Sequence, residues 1–166
     1  MDLRYATEDN FMKEQIYACG KCFLRPLVAD QLRKVSLDLK EEGYGIILYD
    51  CYRPLPAQQK LWDIMPNKNY VTPPSKGSMH NRGHAVDLGL FDLASGDIVD
   101  MGTAFDYFGE EAHYAYANLP EEIITRRFIL RDRLKKRGFS GIRTEWWHFS
   151  YKQELSELAD WEWWCE

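Results

Sequence analysis

Two short pieces lying far apart in the chain restrict its fold more than anything else in it. They are Lys76-Gly77-Ser78-Met79-His80-Asn81-Arg82-Gly83-His84-Ala85-Val86-Asp87-Leu88 and Glu145-Trp146-Trp147-His148. Two imidazoles, a carboxylate that can bind metal and a carboxylate that can move protons are what a water-activating zinc site requires. A scaffold that uses them must bring the two pieces together. Along residues 84–91 the two-residue period of a strand sets Val86, Leu88 and Leu90 on one face and Ala85, Asp87 and Gly89 on the other. The first set belongs to a core, so Asp87 faces the opposite side, among small residues that leave room for a ligand. His80 precedes this strand in a loop that Gly83 can bend, and that loop must curl for His80 to meet Asp87 around one ion.

The rest of the chain reads as the scaffold. Residues 1–25 show little periodicity and suit an irregular arm packed over a core. From Pro26 the pattern changes: Val28, Leu32, Val35 and Leu39 recur at helical spacing, Pro26 fits the first turn and Gly43 is placed to stop the helix. Residues 45–52 form an apolar run rich in β-formers that reads as a buried strand, with Arg53 at its end. A second helix is expected over about residues 57–65, with Leu61, Trp62 and Met65 on its apolar side, and a Pro- and Asn-rich loop over 66–77. Residues 92–102 look like a turn at Ser95-Gly96-Asp97 followed by a return strand through Ile98 and Val99, and 103–118 like a loop flanking the site.

A third helix follows Pro120, its ends marked by Glu121 and Glu122 and by Lys135, Lys136 and Arg137, with Gly138 after it. Ile123, Leu130 and Leu134, with Ile124 and Phe128 beside them, make its expected buried stripe. Residues 142–151 read as one final strand carrying Glu145 and His148, and 153–164 as a terminal helix. Helices and strands are mixed without the regular alternation of a parallel sheet, so the expected class is α+β, a small, mostly antiparallel sheet with flanking helices.

Composition narrows the function classes. The 166 residues, 45% of them apolar, suit one domain spanning 1–166 with one sizeable core. Lys and Arg number 21 against 26 Asp and Glu, and the basic residues are dispersed, which argues against nucleic acid as a partner. No apolar stretch approaches the roughly 18 residues needed to span a bilayer. Cys19 and Cys22 form a C-x-x-C, but Cys51 and Cys165 stand alone, so the paired spacing of a structural zinc ribbon is missing. One or two disulfides in an oxidising compartment and four buried thiols are both open readings.

Catalytic zinc usually keeps three protein ligands and leaves a position for water. His80, Asp87 and His148 meet that count for one zinc ion per chain, and Glu145 is left to act as general base, a set that fits amide hydrolysis. A regular strand would put Glu145 and His148 on opposite faces, so a bulge, a strong twist or a strand end is needed to turn both toward one ion. By spacing alone, Arg53 reads as a salt-bridge residue.

The pattern Ser-x-His-x6-Asp followed by Glu-x-Trp-His resembles the zinc peptidase group that includes D-alanyl-D-alanine carboxypeptidases, lysostaphin-type enzymes and the Sonic hedgehog signalling domain. Arg4-Tyr5-Ala6-Thr7, Asp9-Asn10-Phe11, Tyr52-Arg53-Pro54, Ser75-Lys76-Gly77-Ser78-Met79-His80, Phe105-Asp106 and Glu145-Trp146-Trp147-His148 resemble, more closely, the D-alanyl-D-alanine dipeptidases of vancomycin resistance, in the family's order over about residues 4–151. The resemblance implies zinc on His80, Asp87 and His148, Glu145 as base and proton donor, and Arg53 at the tetrahedral oxyanion. It also implies a dipeptide substrate held at its amine near Tyr5 and Asp106 and at its carboxylate near Ser78.

Met79 stands where the family often has a small residue. The four cysteines resemble those of relatives expected to be exported, which makes the periplasm the expected location and the cytoplasm the alternative. Rival functions are a D,D- or L,D-carboxypeptidase acting on cell-wall peptides and a zinc-binding, non-catalytic hedgehog-like module. The presence of both Glu145 and Arg53 weighs against the latter.

Overall fold

The computed structural model describes residues 1–165. Four antiparallel strands, β1 (Tyr44–Asp50), β2 (Ala85–Asp92), β3 (Phe139–Ile142) and β4 (Glu145–Tyr151), form one sheet in the order β1-β2-β4-β3. Three helices flank it: α1 (Pro26–Lys40), α2 (Leu55–Ile64) and α3 (Glu121–Lys136). This is the α+β architecture expected from the sequence.

Helix α1 buries Val28, Leu32, Val35 and Leu39, the four residues at helical spacing, and starts on Pro26, whose missing N–H is not needed in a first turn. Val86, Leu88 and Leu90 of β2 join that stripe and Leu130 and Leu134 of α3 in the main core. A second cluster, with Tyr5, Met12 and Tyr17 of the N-terminal arm against Ala57 and Leu61 of α2, lies beside it. The arm is irregular, as expected, and is held by Asn10. Its amide donates to the carbonyls of Arg4, Thr7 and Glu14 while its oxygen accepts from the Met12 N–H.

Several expectations are corrected. The single strand over 142–151 is a hairpin, because residues 143–144 turn the chain between β3 and β4. The return strand through Ile98 and Val99 reduces to one bridge, Phe91 to Ile98, with Ile98 itself exposed. In α3 the buried stripe is Ile123, Arg127, Leu130 and Leu134, while Ile124 and Phe128 are exposed. Arg127 occupies the position between Ile123 and Leu130 on the helical period, so the stripe runs through a charged residue and passes the two apolar neighbours by.

The terminal helix over 153–164 does not form. The segment forms no helix or strand, and Trp161 and Trp163 pack in turn against Phe23 and against Tyr52 and Tyr17, two residues apart along an irregular strap. The strap is fastened by the Cys19–Cys165 disulfide, by Ala159 N–H to the Asn81 carbonyl (2.8 Å), and by Arg82 to the Ser156 carbonyl (2.9 Å). Cys22 pairs with Cys51, so the C-x-x-C sends its two sulfurs to different partners and all four cysteines are oxidised.

Candidate active site

Two irregularities of the sheet build the site. Between Leu48 and Asp50 the β1–β2 register slips by one residue, which places Asp50 opposite Asp87. On the other side of β2, Asp87 pairs with His148. In the β3–β4 hairpin the register jumps from Gly141 opposite Phe149 to Ile142 opposite Glu145, and this bulge brings Glu145 and His148 to line the same cavity. His80 sits in a short 3-10 turn (His80–Arg82) closed by Gly83 at φ +71°, a left-handed conformation natural to glycine.

His80 Nε2, Asp87 Oδ1 and His148 Nδ1 converge. The nitrogens are 3.2 Å apart, and Asp87 Oδ1 lies 3.4 Å from His80 and 2.9 Å from His148. Ligand atoms of a tetrahedral zinc with bonds of about 2.0–2.1 Å are separated by about 3.3 Å, so the donor set has the size and chemistry the ion needs. The second ring nitrogens are also held. A carbonyl can only accept, so His80 Nδ1–H donates to Cys51 O (2.6 Å), which leaves Nε2 as the lone-pair atom; His148 Nε2 faces Ser150 Oγ (2.9 Å). Burial opposes the charge on Asp87, but His80 and His148 hold its carboxyl well below the usual range; burial would lower His80, yet Asp87 raises it.

The other expected site residues line the same cavity of ≈ 210 Å³. That is below the roughly 300–1,000 Å³ of sites for drug-sized ligands and suits a small one. Glu145 is pushed up to about 8, first by burial and then, against the pull of His148, by the charges of Asp87 and Asp106. Asp106 is likewise pushed up to about 8 by burial and by Asp87, and it accepts a hydrogen bond from the Tyr5 hydroxyl (2.9 Å). Arg53 donates from Nε and Nη2 to Asp50 Oδ2 (3.0 and 2.7 Å) and from Nη1 to Gln58 Oε1 (3.0 Å), and its guanidinium lies 5.2 Å from the Tyr5 ring centre. Burial works against its charge, but Asp50, joined by Tyr5, Tyr17 and Asp87, more than restores it. The Ser78 hydroxyl reaches the same Gln58 oxygen at 3.4 Å.

All eight expected residues are thus gathered in one place, and Arg53 keeps the salt bridge that spacing alone suggests. Four further residues serve the site by holding others. Asp50 aligns Arg53 and is itself held by the Tyr17 hydroxyl (2.9 Å), Gln58 touches both Arg53 and Ser78, and Asn81 ties the Ser78 N–H to the Arg53 carbonyl (both 2.7 Å). Ser150 orients His148. Of these, Ser150 was within reach of strand period, two residues beyond His148. A carboxylate at the end of an apolar strand, three residues before Arg53, was the sign of Asp50.

The chain matches the profile of the family described as D-ala-D-ala dipeptidase over residues 1–163. It is 37% identical to a D-alanyl-D-alanine dipeptidase of Escherichia coli, covering 96% of this chain and 83% of that one. A D-alanyl-D-alanine dipeptidase of Enterococcus faecalis is 31% identical over 92% and 86%. Among solved structures, VanYB in complex with D-alanine-D-alanine shares the fold, with a TM-score of 0.52 at 15% identity over 77% of this chain and 71% of that one.

Proposed function

The chain belongs to the D-Ala-D-Ala dipeptidase family, and from that premise we propose that it hydrolyses the free dipeptide D-Ala-D-Ala to two molecules of D-alanine. One zinc ion would be held by His80, Asp87 and His148. The observation that carries this reading is the meeting of three ligand atoms, two of them on histidines oriented through their second nitrogens, beside a buried carboxyl that is not in the ligand set. Zinc held by these residues would supply Lewis acidity, the means of activating a water whose pKa it can lower to about 7.

The chain's own residues do the rest. Glu145 takes the proton of the attacking water and passes it to the leaving amine. Arg53, already aligned by Asp50 and Gln58, donates to the oxyanion that develops on the carbonyl and needs no rearrangement to do so. Asp106 and the Tyr5 hydroxyl receive the substrate's ammonium, and Ser78 its carboxylate. Recognition of a free amine by a buried carboxylate disfavours acylated peptides, since these would leave the carboxylate without a cation. The two disulfides support a periplasmic setting, which alkylation of the protein in intact cells would test: free thiols on the folded chain would oppose it.

The test is hydrolysis of D-Ala-D-Ala and of N-acetyl-D-Ala-D-Ala, each with and without chelator. Chelator-sensitive cleavage that strongly favours the free dipeptide over the slowly cleaved blocked one is expected, whereas preference for the blocked substrate identifies a carboxypeptidase. Glu145→Gln is expected to keep zinc and to lose on the order of 10²–10⁴-fold in kcat; near-normal turnover would remove Glu145 from its role.

A further inference from the structure

We propose that Arg127 of α3 is a positioning residue that clamps both ends of loop 101–113 and so sets Asp106 against Tyr5, making a distant helix part of the device that selects a free amine. This rests on the reading above, in which Asp106 and Tyr5 receive the substrate's ammonium. Arg127 is 6% exposed. Its Nε donates to the Met101 carbonyl (2.7 Å), and its Nη1 to the carbonyls of Glu111 (2.9 Å) and His113 (3.2 Å). These acceptors lie on either side of Asp106 in the chain, so one guanidinium closes the loop like a staple.

The chemistry of this arginine is unusual for a structural residue. Among the described residues no carboxylate lies within salt-bridge distance of it, and burial lowers it to about 10. A buried cation held by carbonyl dipoles, with the Asp100 charge favouring it from beyond salt-bridge distance, is costly, and an apolar side chain would fill the stripe between Ile123 and Leu130 at lower cost. What the guanidinium adds is several donors in a fixed fork, the means of fixing carbonyls at two separate points of a loop.

The loop's conformation shows why fixing is needed. Asp106 has φ +59°, in the left-handed region, a state that persists where the surroundings over-determine it. Its tip is anchored by Phe105, which packs on Tyr5, Tyr49 and Trp147, and its ends by Arg127. The guanidinium also lies 5.8 Å from the ring centre of Trp146, whose indole N–H donates to Thr103 Oγ1 of the same loop (2.8 Å). Gly102, at φ +89°, lets the chain pass where a Cβ would come within 3.1 Å of Arg127 Nη2.

The experiment compares the zinc-loaded wild type with Arg127→Met, Arg127→Lys and Thr103→Val, measuring kcat and KM on D-Ala-D-Ala and on N-acetyl-D-Ala-D-Ala together with hydrogen exchange of the 101–113 amides. For Arg127→Met, KM for the free dipeptide should rise about tenfold or more with kcat nearly kept, while cleavage of the blocked substrate is not reduced, so selectivity falls. Arg127→Lys should restore part of the selectivity. Exchange in 101–113 should speed up in Arg127→Met.

Unchanged exchange overturns the clamp. Faster exchange with equal losses on both substrates overturns its link to amine selection. If Arg127→Met does not fold, Arg127→Lys and Thr103→Val carry the same comparison in milder form, and unaltered selectivity and exchange in both would refute the proposal. Asp106→Asn separates this failure from that of the functional reading: if it leaves KM for D-Ala-D-Ala unchanged, Asp106 does not hold the amine, and the exchange data alone then judge the clamp.

Discussion

Asp106 bears the sharpest conflict between burial and charge in the cavity. Its carboxyl is pushed up to about 8 from an ordinary value of 3.8, chiefly by burial and next by the Asp87 charge. An acid whose folded value is raised contributes stability that is complete below its unfolded value and is lost as pH rises through the folded one. In chelator-treated protein, stability should therefore fall between about pH 4 and pH 8, with Glu145 and His80, both raised, acting in the same sense. Thermal unfolding across that range checks it: Asp106→Asn should flatten the slope, and an equal slope in the variant would show that the carboxyl ionises freely in the fold. At this scale the sequence was informative about the candidate site residues, because His80, Asp87, Glu145 and His148 are of the types a zinc site needs and the family resemblance added the weight that their spacing alone lacked. It was silent on Gln58 and Asn81, whose roles exist only through the backbone and side chains they bond.

Elements were legible where one period ruled. Helix α1 follows from four apolar residues on a single stripe, and β2 from strict alternation around Asp87. Reading failed where tertiary contacts override the local pattern. The strap's tryptophans pack on aromatic rings from the arm and from the segment just after β1, and Arg127 takes a core position because carbonyls surround it. The bulge that unites Glu145 and His148 was required by the chemistry but could not be placed by spacing. The turn before Ser78 offers a test at this level. Gly77 has φ +66°, and a Cβ on it would lie 2.3 Å from Leu158 of the strap, whereas Gly96, at φ +80°, faces open space. Gly77→Ala and Gly96→Ala should share a backbone cost of about 1 kcal/mol, and Gly77→Ala should lose more because Leu158 must move. Denaturant unfolding of the two variants makes the comparison; equal losses would mean that the strap yields without cost.

For the molecule as a whole, antiparallel α+β architecture followed from the lack of strand–helix alternation, but the order β1-β2-β4-β3 and the cysteine pairing depend on contacts distant in sequence. The disulfides link the periphery to the centre. Cys51 carries the carbonyl that orients His80, and the strap that ends at Cys165 holds Asn81. Replacing Cys19 and Cys165 by serine should cost roughly 2–5 kcal/mol and weaken zinc retention, read by thermal unfolding and by metal content after dialysis. A variant as stable as the wild type would make the strap an ornament. The same pairing also sets the order of events in biogenesis. The two bonds are nested, Cys22–Cys51 inside Cys19–Cys165, with a sequence separation of 146 for the outer pair. Cysteines oxidised in order as they leave the ribosome or the translocon would join Cys19 to Cys22, the wrong pair. Maturation thus depends on Cys19 staying reduced until Cys165 is made, or on exchange that undoes an early bond. A cell producing this protein has to supply time or an isomerase.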